Sequence, residues 1–176
     1  KVYAGYPITP ATSIFEHLIP LLSENGGKYL QVEDEIAAAG CAIGAFYTGS
    51  RAMTATSGPG LCLMSEFINF AVMAEQPVVI VNSQRGGPST GLPTKTEQSD
   101  ILVACFGSAG DSPRIVLIPS NIKECYNFMG LSLYLAEKYL TPVILLLDLF
   151  LSNRIENLSE PAIDSSKLSG NVFPSP

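Results

Sequence analysis

The residues of this chain best suited to chemistry are a run of acids, one arginine among glycines, and a proline set between two glycines. Glu33-Asp34-Glu35 follows an apolar stretch and precedes Ile36-Ala37-Ala38-Ala39-Gly40. Acids in the first turn of a helix complement its dipole, which is one ordinary use for them. The other use is chemical: a carboxylate turned into a dry crevice can hold or share a proton with a ligand nitrogen. Gln84 to Thr94 holds three glycines, two prolines, three hydroxyl residues and Arg85. An arginine beside Gly86-Gly87 has room to grip a carboxylate or phosphate with two parallel bonds. Thr90 and Thr94 can donate to the same anion, although a surface loop without function can share this composition. Ser57-Gly58-Pro59-Gly60 fits an anion nest and, equally, a plain strand–turn–helix junction. It has neither the Gly-Lys-Ser/Thr of a P-loop nor three spaced glycines for a dinucleotide.

What is missing narrows the chemistry. His17 is the one histidine, and it stands beside Glu16 on a helical pattern as a surface or packing residue. One histidine leaves no Ser-His-Asp triad and no ordinary zinc site within the chain. Cys41, Cys62, Cys105 and Cys125 share no Cys-x-x-Cys spacing, lie in apolar helical stretches, and read as buried reduced thiols. An iron–sulfur cluster held by this chain alone is not supported. No metal site is expected. Chemistry here falls to carboxylates, arginine, hydroxyls or a bound cofactor.

Those residues need a scaffold, and the pattern supplies one. Strands are expected over 1–4, 28–33, 51–56, 77–82, 114–118 and 142–148, and helices over 11–24, 34–47, 61–75, 97–105 and 121–139. The early strands recur at a spacing that suits βαβ units. Val78-Val79-Ile80-Val81 and Val143 to Leu147 are continuous apolar runs, as parallel strands buried on both faces require. The expected fold is α/β, a doubly wound and mostly parallel sheet flanked by helices. Thr9-Pro10 supplies an N-cap hydroxyl ahead of a first-turn proline, Gly26-Gly27 and Gly49 end helices, and Ser120-Asn121 caps the last long one. Residues 1–158 form the domain, and 159–176, rich in Ser, Pro and Gly, reads as a linker or tail. In a parallel sheet, ligands bind at the carboxyl ends of the strands. Gly5 to Pro10, Glu33 to Glu35, Ser57 to Gly60 and Gln84 to Thr94 all fall at such ends and converge on one rim.

Taken together and in order, YAGYPITP, EDEIAAAG, TATSGPGLCLMSE, QRGGPSTGLPTKTEQSD, SPRIVLIPSNIKECY and LAEKYLTPVILLLD resemble the α subunit of 2-oxoacid:ferredoxin oxidoreductases. The resemblance spans about Val2 to Leu158 and implies the pyrimidine-binding domain of the thiamine diphosphate fold. It implies thiamine diphosphate shared with a β subunit, with Mg²⁺ and iron–sulfur clusters on partner chains, and γ and δ subunits among possible partners. It also implies oxidative decarboxylation of a 2-oxoacid to an acyl-CoA, with electrons passed to ferredoxin; the loop of Arg85 resembles members that act on 2-oxoglutarate or branched-chain 2-oxoacids, and 2-oxoglutarate is the expected substrate. By position, Glu35 matches the glutamate that bonds the cofactor's pyrimidine N1′. Thr9, Arg85, Thr90 and Thr94 match substrate-holding positions, and Tyr6, Pro7, Ser57 and Gly58 match the cofactor's surroundings. The sequence departs from the family at Asp111-Ser112-Pro113, where a larger residue than Ser is expected. Family members also carry a stretch before the first strand and a later domain, so the chain is expected to be part of an α subunit. A flavodoxin-like flavin- or nucleotide-binding module and a non-catalytic assembly subunit are the competing readings.

Composition adds bounds. The 176 residues are 47% hydrophobic and 15% charged, against about 25% charged in an average domain. The net charge of −6 argues against nucleic acid or an anionic membrane as partner. No apolar run reaches the roughly 18–20 residues of a membrane span, and no secretory signal opens the chain, so a cytoplasmic location is expected. The apolar excess is expected at subunit contacts, with self-association, through the small-residue helix after Glu35 and the helix over 61–74.

Overall fold

The computed structural model describes residues 1–159. In chain order the elements are β1 (Val2–Gly5), α1 (Thr12–Glu24), β2 (Lys28–Gln31), α2 (Glu35–Tyr47), β3 (Ala52–Thr56), α3 (Gly58–Leu63), α4 (Ser65–Met73) and β4 (Val78–Gln84). They continue with α5 (Ile101–Phe106), β5 (Ile115–Leu117), α6 (Ile122–Tyr139), β6 (Pro142–Asp148) and α7 (Leu149–Ser152). The six strands form one sheet in the order β2-β1-β3-β4-β6-β5, parallel at every pairing. The expected α/β sheet is therefore present. The strand order reverses between β1 and β3, the point where such sheets open a crevice at their carboxyl ends.

The two central strands follow from their sequences. Val78 to Val81 and Val143 to Leu146 are each at most 3% exposed, and burying such a side chain contributes about 1.5–3 kcal/mol. On one face Ile80, Ile144 and Leu146 pack with Ala38, Ala39, Ala42 and Phe46 of α2 and Met64 and Ile68 near α4. On the other, Val81 and Leu145 pack with Phe15 of α1 and with Phe128 and Met129 of α6. At the edge, every residue of β2 is exposed, unlike the buried central runs.

Several expected boundaries move, each for a local reason. The helix over 61–75 starts earlier, at Gly58, and breaks at Met64 into α3 and α4. The helix over 97–105 becomes α5 alone. Residues 97–100 are held elsewhere: Glu97 accepts from Gly87 N, Gln98 donates to Asp148, and Asp100 N donates to the Gln84 side chain. Thr9 does not cap α1. The helix begins at Thr12, whose N–H donates to Ile8 O, and the carbonyl of Thr9 is taken by Arg85. Strand β2 stops at Gln31 because Asp34 becomes the N-cap of α2, accepting from Ala37 N at 2.7 Å. Asn121 caps α6 as expected, accepting from Glu124 N at 2.9 Å. The four thiols are free, but none is fully buried and Cys62 is exposed, because α3 turns it outward. No described helix is long and apolar enough to cross a membrane. From residue 160 onward, the expected tail lies outside the described residues.

The expected contact helices also divide. Ala38, Ala39 and Ala42 are spent inside this chain against the sheet, so the small-residue face of α2 is not a free surface. Gly40 lets α2 approach α4: a Cβ there would stand 3.0 Å from the Phe67 ring. The second candidate does present apolar surface, with Leu63 at 51%, Phe70 at 45% and Met73 at 83% exposure.

Candidate functional site

The rim separates the three acids. Glu33 is exposed, Asp34 caps α2, and Glu35 is 6% exposed at the first position of that helix. Its side chain runs along α3. A Cβ built on Gly60 would stand 2.7 Å from Glu35 Cγ, 2.9 Å from its Oε1 and 2.0 Å from Thr56 Oγ1. Any larger residue at position 60 must therefore displace Thr56 or Glu35. No hydrogen bond or ion pair from a described residue reaches the Glu35 carboxylate, although such groups are normally partnered when buried. Close by in the chain, Thr54 Oγ1 and Ser57 Oγ are buried without partners.

Side chains alternate across the sheet, and this divides the rim into two sides. Thr54, Thr56, Asn82 and Gln84 face the layer of α2 to α5, while Ser83 and Arg85 face the other. Ser83 bonds Ser152 of α7 there. Arg85 is 5% exposed, with Nη1 donating to Thr9 O at 2.6 Å and Nη2 to Thr90 O at 2.9 Å. Its Nε is buried without a partner. Thr9 and Thr94 line one cavity of about 260 Å³ with Pro10, Thr12, Ser13, Pro93, Leu149 and Asn153. The 86–95 segment is a closed turn. Gly86 N donates to Lys95 O, Leu92 N donates to Gly86 O, and Gly91 has φ of 61° where a Cβ would strike Gly86 O. Of the other residues expected at the site, Tyr6 is 40% exposed, Pro7 is half-buried, and Gly58 lies against Asp100. Arg85, Thr9, Thr90 and Thr94 are thus brought together on one side, and Glu35, Ser57 and Gly58 on the other.

A partly buried polar cluster was not anticipated. Asn82 donates to Asp100 Oδ2 at 2.9 Å, and the Gln84 amide reaches Asp100 N and Leu147 O. Gln98 donates to Asp148 at 2.6 Å beside a cavity of about 370 Å³. Burial raises the pKa of Asp100, Asn82's hydrogen bond lowers it, and the negative charge of Glu97 raises it further. The signal was present: Asn82-Ser83-Gln84 ends an apolar run with polar residues that sheet pairing keeps inside.

The sheet order alone would suit a flavin or nucleotide module as well. A family model described as pyruvate flavodoxin/ferredoxin oxidoreductase, thiamine diphosphate-binding, matches residues 1–172. The chain belongs to this family. Its relatives include the 2-oxoglutarate synthase subunit KorA of Methanothermobacter thermautotrophicus, 48% identical over 161 residues, covering 92% of this chain and 43% of that protein. The alpha subunit of 2-oxoacid:ferredoxin oxidoreductase 1 from Sulfurisphaera tokodaii is 44% identical, covering 96% of this chain and 30% of its own length. The solved 2-oxoglutarate:ferredoxin oxidoreductase of Magnetococcus marinus, with 2-oxoglutarate, coenzyme A and succinyl-CoA bound, superposes with a TM-score of 0.85 at 51% identity. That match covers 86% of this chain and 27% of the solved one. The chain therefore spans less than half the length of these family members.

The residues present fit the pyrimidine end of thiamine diphosphate. A carboxylate on a largely buried residue, with no hydrogen-bond partner among the described residues, is suited to face a ring nitrogen. No group of three or more His, Cys, Asp or Glu able to hold a metal occurs among the described residues.

Proposed function

We propose that this chain is the pyrimidine-binding part of the α subunit of a 2-oxoacid:ferredoxin oxidoreductase, with 2-oxoglutarate as substrate. The observation that carries this reading is Glu35, buried against Gly60 and without a partner in this chain. The relatives named for 2-oxoglutarate support the choice of substrate.

Bound thiamine diphosphate supplies the electron sink for decarboxylation. The protein's own part is proton control and orientation. Glu35 holds a proton at the pyrimidine N1′. Ser57 and Gly58 form the wall of the cofactor's crevice, with Tyr6 and Pro7 at its lip. On the other side Thr9, Thr90 and Thr94 hold the 2-oxoacid. The guanidinium of Arg85, two of whose five N–H groups go to carbonyls, has others left for the substrate carboxylate. A β subunit supplies the diphosphate and Mg²⁺ site, and partner chains supply iron–sulfur clusters, with coenzyme A and ferredoxin as co-substrates. The enzyme works in the cytoplasm.

The test is assembly with the β, γ and δ subunits, thiamine diphosphate, Mg²⁺ and coenzyme A, followed by viologen reduction with a series of 2-oxoacids. Reduction is expected with 2-oxoglutarate. Glu35→Gln should lower turnover by about 10²–10⁴-fold, the range for a positioned proton-transfer group. Turnover by Glu35→Gln at the unsubstituted rate would remove Glu35 from the mechanism.

A further inference from the structure

We propose that Arg85 is a positioning residue, which fixes the main chain at Thr9 and Thr90 and so sets the walls of the cavity lined by Thr9 and Thr94. The inference rests on the reading that this cavity takes the 2-oxoacid. It gives Arg85 a task performed before any substrate arrives.

Burying a cation is costly unless it is paired. Arg85 is 5% exposed, yet neither ion pair found among the described residues involves it. Its terminal nitrogens go instead to two backbone carbonyls, Thr9 O and Thr90 O, on the loops that follow β1 and β4 at the same rim of the sheet. A main-chain carbonyl is no alternative to a substrate; it is a permanent feature of the loop. Hydrogen bonds from a charged donor are about twice as strong as neutral ones, so these two are strong ties.

The loops have no other tie of this kind. The first is held locally by Thr12 N to Ile8 O and Ser13 Oγ to Pro10 O. The second closes on itself through Gly86, Leu92 and Lys95, and on Glu97 through Gly87 N. Among the described residues, no hydrogen bond other than those of Arg85 joins the 6–11 loop to the 86–94 loop. The planar fork of a guanidinium can reach both carbonyls at once. The single ammonium of a lysine cannot reproduce that geometry.

The experiment uses the assembled enzyme without substrate or cofactor. Amide hydrogen exchange is followed by mass spectrometry in the unsubstituted enzyme, Arg85→Lys and Arg85→Ala. Exchange in peptides covering 6–14 and 86–96 is expected to rise about tenfold in both variants, while strands over 78–82 and 143–147 stay protected. Protection of those strands shows that the fold is intact, and Arg85→Lys carries the test if Arg85→Ala does not fold. The second readout is a double-mutant cycle in kcat with Thr9→Ala. The penalty of Arg85→Lys should shrink by about tenfold when Thr9 is already truncated, because coupled residues are not additive. Loop exchange at the unsubstituted rate, or strictly additive effects, would overturn the positioning role. An assembly that turns over no 2-oxoacid would reject the functional reading, and the exchange result would still decide the role of Arg85.

Discussion

Gly60→Ala tests the geometry around Glu35 without replacing the carboxylate. The new Cβ would lie 2.0 Å from Thr56 Oγ1, and ordinary contact begins near 3.4 Å, so something must move by about 1.4 Å. Thr56 has little freedom, being fully buried on β3 and paired with Asn82. The softer neighbour is the Glu35 side chain, which the Cβ would meet at 2.7 Å and 2.9 Å. Overpacking of this kind costs about 1–3 kcal/mol, and replacing glycine in a helix returns up to about 1 kcal/mol. The net loss should be about 1–2 kcal/mol, or a fall in Tm of roughly 2–8 °C for a domain of this size. Activity should suffer far more, because a misplacement of about 1 Å near the reacting atoms can cost about 100-fold. Gly44→Ala is the control: it lies on the helix that carries Glu35, and its Cβ meets nothing within 4 Å in this chain. Viologen reduction and thermal unfolding of the assembled enzyme would be measured for both variants. Gly60→Ala with turnover and Tm like those of Gly44→Ala would refute the reasoning.

Other consequences can be checked more quickly. Arg51 bonds Glu137, whose side chain is 7% exposed, so Arg51→Ala leaves a buried charge and should lower stability by about 3 kcal/mol in denaturant titration. The raised pKa of Asp100 means that the folded chain binds its proton more tightly than the unfolded chain. Its contribution to stability therefore grows as pH falls through the raised folded value towards the ordinary carboxylate range, and is lost as pH rises again. Asp100→Asn should flatten that part of the stability–pH curve, and an unchanged curve would assign the dependence elsewhere.

The central sheet was legible because its signal is local: an apolar run such as Val78 to Val81 has few ways to be buried. The cap at Asn121 was legible for the same reason, since its side chain bonds its own next turn, whereas Asp34 was read as a first-turn acid and proves to be the cap. What the sequence hid was tertiary. Residues 97–100 carry helix-compatible side chains, but Gly87, Asp148 and Gln84 claim their polar groups. The candidate site was suggested by Arg85 beside two glycines and by the convergence of four such segments at strand ends, since acids at a helix start are by themselves ordinary. Glu35 could be preferred over Glu33 and Asp34 only through the family resemblance, whose pattern sets the small residues directly after the glutamate. That Arg85 is occupied by carbonyls depends on a partner 76 residues away, which no local pattern contains.

The division of the rim by the sheet has an evolutionary consequence. Glu35 and its glycine wall belong to α2 and α3, whereas Thr9, Arg85 and Thr94 depend on the loops leading to α1 and following β4. If the two sides have the roles proposed for them, changes in the 86–94 loop accumulate without disturbing Glu35, and that loop is the segment to exchange when a new specificity is wanted.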